Sequence, residues 1–162
     1  MIVREPGFHL AASAEIGIQK IYRALAPDEG RNYMILDDVI RAVHEGRSPI
    51  LLTERRDHLD YFVERLRGFV RHLVVLRGGT ATRERARTAA GLAKVPDDEE
   101  RLVLATGRYI GEGFDDARLD TLLLAMPVSW RGTLAQYTGR LHRLHSRKRV
   151  VRMFEKRPRA YR

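Results

Sequence analysis

Apolar positions recur along this chain with two different periods. From Ala14 to Ala26, Ile18, Ile21, Tyr22 and Leu25 fall at i, i+3, i+4 and i+7, which predicts an amphipathic helix ended by Pro27. The same spacing at Leu36, Val39, Ile40 and Val43 predicts a second helix, capped by Asn32 and closed by Gly46. Leu59, Phe62, Val63 and Leu66 give a third, broken at Gly68. An arginine- and alanine-rich helix follows from Arg83 to Lys94, and a last one covers Leu134 to Leu144. Between the helices lie short apolar runs without alternation: Pro49 to Thr53, His72 to Leu76, Arg101 to Ala105, Asp120 to Ala125 and Val150 to Phe154. Continuous runs of that length suit strands covered on both faces, as in a parallel sheet.

Strands alternating with helices predict an α/β domain: a mainly parallel central sheet with helices on both faces. Ligands of such sheets gather at the carboxyl ends of the strands, here Thr53, Gly78-Gly79, Thr106-Gly107 and Pro127. Residues 1 to 13, with Pro6 and Gly7, read as an extended lead-in. Asp97 to Glu100 read as a solvated turn, and Asp37-Asp38 as exposed helix surface.

At 162 residues and 44% hydrophobic, the chain is long enough for one ordinary domain. It has no cysteine, which excludes disulfides and thiolate metal sites and makes a reducing cytoplasm the expected compartment. No apolar run reaches the length needed to span a bilayer, and the first residues lack the pattern of a signal peptide, so no membrane partner is expected. The net charge of +9 is concentrated: Arg140 to Arg162 hold ten basic residues against one acid, Glu155, and the preceding residues balance. A neutral domain with a basic C-terminal segment attracts polyanions through phosphate contacts, although a merely solvated tail has the same composition.

Two stretches concentrate candidate chemistry. Thr106-Gly107-Arg108-Tyr109-Ile110-Gly111-Glu112-Gly113-Phe114-Asp115 follows an apolar run directly. Its glycines let backbone N–H groups approach an anion, Thr106 adds a hydroxyl, and Glu112 and Asp115 can accept from sugar hydroxyls. The same composition also fits an ordinary flexible turn. Further on, Gln136, Arg140 and Arg143 project within about 60° of one another on a helix, apart from the apolar face of Leu134, Tyr137, Leu141 and Leu144. Two rigid guanidinium groups suit charge developing on a transferring phosphoryl group; the spacing equally fits a solvated face. Thr133-Leu134-Ala135-Gln136 also reads as a capping box.

Several motifs are missing. There is no Gly-x-x-x-x-Gly-Lys-Ser/Thr to cradle a nucleoside triphosphate, and no hydrolase triad motif. His142 and His145 have metal-ligand spacing but no convincing third ligand, so no metal site is expected.

Three segments together resemble the second, C-terminal RecA-like lobe of superfamily 2 helicases, the DEAD/DEAH-like group that includes restriction-type helicases. Pro49-Ile50-Leu51-Leu52-Thr53-Glu54-Arg55 resembles helicase motif IV, the Thr106 to Asp115 loop motif V, and Gln136-Tyr137-Thr138-Gly139-Arg140-Leu141-His142-Arg143 motif VI. The resemblance implies a RecA-like three-layer sandwich over residues 15 to 154, after a lead-in of 1 to 14 and before a basic tail of 155 to 162. It also implies that ATP and Mg2+ are held mainly by a first lobe absent from this chain. Arg140 and Arg143 would then act as arginine fingers supported by Gln136, with Glu112, Gly113 and Asp115 lining the lobe interface near the nucleotide. Thr53, Arg55, Gly78, Gly79, Thr106 and Gly107 would hold the backbone of a DNA or RNA single strand.

The expected function is thus the C-terminal motor lobe of an ATP-dependent helicase or translocase, partnered by an N-terminal RecA-like lobe and inactive as an ATPase alone. The alternative is a non-catalytic basic nucleic-acid-binding module, resting on the charged C-terminal segment.

Overall fold

The computed structural model describes residues 2–3, 17–79, 81–107, 109, 114, 116–127 and 149–152. The elements run β1 (Ile2–Val3), α1 (Ile18–Leu25), α2 (Glu29–His44), β2 (Pro49–Thr53), α3 (Arg56–Leu66), β3 (His72–Leu76), α4 (Thr82–Ala93), β4 (Arg101–Thr106), β5 (Thr121–Leu124) and β6 (Arg149–Arg152). The six strands form one sheet in the order β1-β6-β5-β2-β4-β3, and every pairing in it is parallel.

The unbroken apolar runs follow from this arrangement, because the sheet is covered on both sides. Leu51, Leu102, Leu104 and Leu123 point to one face, where they pack with Ile35, Val39 and Val43 of α2 and Leu59, Phe62 and Leu66 of α3. Their sequence neighbours Ile50, Leu52, Val103, Ala105, Leu122 and Leu124 point to the other, against Leu92 of α4 and Tyr109 and Leu119 of the β4–β5 connection. β2, β4 and β5 therefore alternate between two cores, and a polar residue inside one would be buried on either side. Tyr22 and Leu25 of α1 pack on Met126 just beyond β5. No helix among the described residues is long and apolar enough to cross a membrane.

Helix ends follow local chemistry. Asp28, not Asn32, caps α2, its Oδ1 accepting from the Arg31 N–H at 3.0 Å. The helix starts one turn earlier than its apolar stripe, which leaves Asn32 inside it and fully buried. Its other end is closed as expected: Gly46 takes φ +69°, and the Gly46 and Arg47 N–H groups bond back to the Val43 and Ala42 carbonyls at 2.9 and 3.0 Å. That double closure needs the left-handed residue that glycine supplies.

Three further expectations are corrected. Asp37 is exposed, but Asp38 is buried beside Arg41, their charged atoms 3.4 Å apart. The buried stripe of α2 is wide enough to take in a residue adjoining Val39. The acidic turn after α4 leaves Asp97, Asp98 and Glu100 exposed as expected, but Glu99 is half-buried and pairs with Arg71 at 3.1 Å and His72 at 2.5 Å. Within the lead-in, Ile2–Val3 forms a strand beside β6.

Candidate nucleic-acid interface

The connections leaving β2 and β4 cross the sheet in opposite directions, on opposite faces. From β2 the chain passes through α3, on one face, to β3; from β4 it returns across the other face to β5, on the far side of β2. Thr53 and Thr106 end these two strands and lie in register as paired residues. In open parallel sheets ligands bind outside the carboxyl ends of the strands, where these two residues lie.

Thr53 is almost fully buried, and its hydroxyl lies 3.0 Å from Nδ1 of His58, in the first turn of α3. The other ring nitrogen of His58, Nε2, is 2.9 Å from Oδ1 of Asn32, whose Nδ2 donates to the Ala26 carbonyl at 2.8 Å. These contacts fix every proton. The Ala26 carbonyl demands a donor, so the Asn32 amide faces it with nitrogen and receives from His58 Nε2–H. His58 Nδ1 is then an acceptor, and the proton of Thr53 goes to it. Burial, reinforced by the positive charge of Arg31, lowers the His58 pKa from 6.5 to about 3, so the ring is neutral. What Thr53 offers outward is lone-pair density, toward the Arg55 N–H at 3.5 Å.

Thr106 is used in the opposite sense. Its Oγ1 accepts the Gly78 N–H at 2.8 Å, which draws the turn after β3 onto the end of β4, and its own proton has no acceptor among the described residues. Arg56 closes the same turn by donating to the Gly78 carbonyl at 2.7 Å. Gly79 sits at φ +82°, with the position of an added Cβ 3.4 Å from the Arg56 guanidinium. Glycine is favoured there by backbone conformation. Arg55 forms a two-pronged pair with Asp57, a hydrogen bond that holds the Asp57 carboxyl below the usual range.

Gly107 faces a carboxylate. A Cβ there would stand 2.3 Å from Oε1 of Glu54. Glu54 is exposed as a residue, yet its carboxyl is set back against Gly107, and that burial pushes its pKa up. The edge thus brings together the six residues singled out as strand-binding, Thr53, Arg55, Gly78, Gly79, Thr106 and Gly107, with two acids beside them, Glu54 at Gly107 and Asp57 at Arg55. Pro127, also expected at a strand end, accepts from the Tyr22 hydroxyl at 2.8 Å.

Glu54, Arg56, His58 and Asn32 were not among the sequence candidates. Glu54 and Arg56 adjoin Thr53 and Arg55 in sequence, but their contacts are with the ends of β4 and β3, which no local spacing reports. A threonine at a strand end with a histidine five positions on was the available signal for His58. Beside them lies Arg31, nearly fully buried, its Nη2 donating to the Ala125 carbonyl beyond β5. Burial lowers its pKa to about 10. Glu112, Gly113, Asp115, Gln136, Arg140 and Arg143 lie outside the described residues, as does the helix expected over Leu134 to Leu144. No group of three His, Asp or Glu side chains that could hold a metal ion occurs among the described residues.

The solved C-terminal part of the Fun30 ATPase domain superimposes with a TM-score of 0.64 at 14% identity, over 76% of this chain and 40% of that one. The structure of T4 UvsW superimposes with a TM-score of 0.67 at 14% identity, over 86% of this chain and 28% of that one. This chain has the fold of a C-terminal RecA-like lobe. No model of a known protein family matches it. In sequence it is 28% identical over 123 residues to transcript termination protein A18 of vaccinia virus strain Ankara, and equally to transcript termination protein OPG145 of monkeypox virus. The match covers 75% of this chain and 24% of each viral protein, so this RecA-like lobe spans about a quarter of the curated relatives it resembles.

Proposed function

We propose that the chain is the C-terminal motor lobe of an ATP-dependent helicase or translocase, working with a first RecA-like lobe on DNA or RNA. The observation that carries this reading is the junction at the strand ends: Thr53 and Thr106 in register, with Gly78 tied to Thr106. It gathers the segments resembling motifs IV and V at the carboxyl ends of two adjacent strands.

In this reading a single strand runs across the strand ends. The Thr106 hydroxyl donates to a phosphate, and the backbone at Gly79 and Gly107 lets a phosphate approach. Thr53 and His58 hold the end of β2 in place, and Arg55 gives a positive charge on exchange from Asp57. In this reading ATP and its Mg2+ are held mainly by the partner lobe. When ATP is bound, its γ-phosphoryl group carries the transferable charge; Arg140 and Arg143 are assigned to neutralise it and Gln136 to support them, with Glu112, Gly113 and Asp115 at the lobe junction.

The reading is tested on residues 1–162 alone. The chain is expected to bind single strands weakly and with strong salt dependence, and to hydrolyse no ATP. Hydrolysis by the isolated chain that disappears in Arg143→Ala overturns the requirement for a second lobe.

A further inference from the structure

The outer face of α4 takes no part in the strand-end edge, yet it carries an organised charge. Leu92 is the one buried residue of this helix, and Arg85 reaches over the Tyr109 ring at 5.1 Å, so these two side chains define its inner side. On the opposite side, Arg83, Arg87, Ala90 and the C-cap Lys94 project within about 60° of one another at helical spacing. All four are exposed. Neither arginine nor Lys94 makes a side-chain hydrogen bond or an ion pair among the described residues. Glu84, the only acid of α4, pairs with neither arginine there. A helix face kept for solubility gains from alternating signs at i, i+4; this one presents a single sign without relief.

We infer that this face is a contact for the phosphate backbone of a nucleic-acid duplex. The stripe is straight and rigid, about 16 Å from Arg83 to Lys94 at helical rise, and faces a ligand whose charges recur about every 1.7 Å along its axis. Single-strand platforms combine cations with aromatic side chains on which bases stack, and this face has no aromatic residue. Protein interfaces concentrate their binding energy in closely packed, desolvated anchors, whereas this face offers exposed cations around a single alanine. Connectivity places the stripe usefully. The helix begins three residues after Gly79, whose neighbour Gly78 is bonded to Thr106, so the Arg83 end adjoins the strand-end edge and the Lys94 end leads away from it. The inference rests on the motor-lobe reading and extends it: a single strand is held across the strand ends, and the duplex continuous with it lies along α4.

The test uses residues 1–162 and two probes, a mixed-sequence duplex and an oligo-dT single strand, each titrated by fluorescence anisotropy over a range of salt. The variant R83Q/R87Q/K94Q is compared with K20Q/R23Q/R67Q, which removes the same charge from exposed positions elsewhere. Circular dichroism confirms that both keep the wild-type helix content, as exposed positions should. The α4 variant is expected to weaken duplex binding at least tenfold beyond the control. It should also reduce the slope of log Kd against log salt by about 2 to 3, one unit for each lost phosphate contact. Single-strand binding should fall no further than in the control. Equal effects of the two variants on duplex, a larger effect on single strand than on duplex, or no duplex binding by the wild type each overturn the inference. Thr106→Val reports separately on the strand-end edge. Weakened single-strand binding there with a silent α4 variant leaves the motor-lobe reading standing and removes this one; silence in both removes both.

Discussion

Thr53 and Thr106 end adjacent parallel strands in register, yet their hydroxyl protons are used in opposite ways. Thr53 gives its proton to His58, whereas Thr106 accepts from the Gly78 N–H and keeps its own. One threonine uses its proton inside the sheet end; the other keeps a proton that, in the proposed function, it donates to a phosphate.

This division predicts different outcomes for the same substitution. Thr53→Val leaves His58 Nδ1 buried without a donor and should destabilise the fold by about 1 to 3 kcal/mol, with little change in strand affinity per folded molecule. Thr106→Val should release the Gly78 turn and weaken single-strand binding several-fold. Chemical denaturation and oligonucleotide titration of both variants check this; equal losses of strand binding contradict it.

His58 makes stability depend on pH. Its folded pKa, about 3, lies below the ordinary 6.5, so over that window the unfolded chain binds the proton and the folded chain does not. Stability is therefore full above about pH 6.5 and falls as pH drops toward 3, with a slope approaching about 1.4 kcal/mol per pH unit. His58→Gln removes the group that titrates. Melting temperatures across pH 3 to 7 should decline less steeply in the variant, and parallel curves for the two proteins would contradict the assignment.

Glu54 places a carboxylate against Gly107, at the edge to which the proposed function assigns a phosphate. Removing that charge in Glu54→Gln should tighten single-strand binding a few-fold at low salt, with the gain vanishing as salt screens the repulsion. Weaker binding by the variant would instead assign Glu54 a direct contact with the strand, such as acceptance from a sugar hydroxyl.

The central strands were legible because a strand between two cores is apolar along its middle, and Ile50-Leu51-Leu52 and Leu102-Val103-Leu104-Ala105 carry that signature without interruption. Helix stripes were legible for the same reason, from one face. What was illegible depends on partners far along the chain. Asn32 has the chemistry of a cap, and only the nearness of His58 and Ala26 shows that its amide is needed inside. The pairing of Arg101 with Asp116 at 2.8 Å, which buries a guanidinium at the start of β4, joins two unremarkable surface-type residues across a connection. The opposition of Glu54 and Gly107 likewise required the order of the strands, and hydrophobic spacing carries no information about which strand lies beside which.

The central claim is that this lobe completes an ATP site that it cannot form alone. The most direct measurement is nucleic-acid-stimulated ATP turnover by the two-lobed protein with Arg143→Ala, beside wild type. The account predicts a loss of about 10³-fold with strand binding retained, the magnitude expected for removal of an arginine finger. Unchanged turnover in that variant would contradict it.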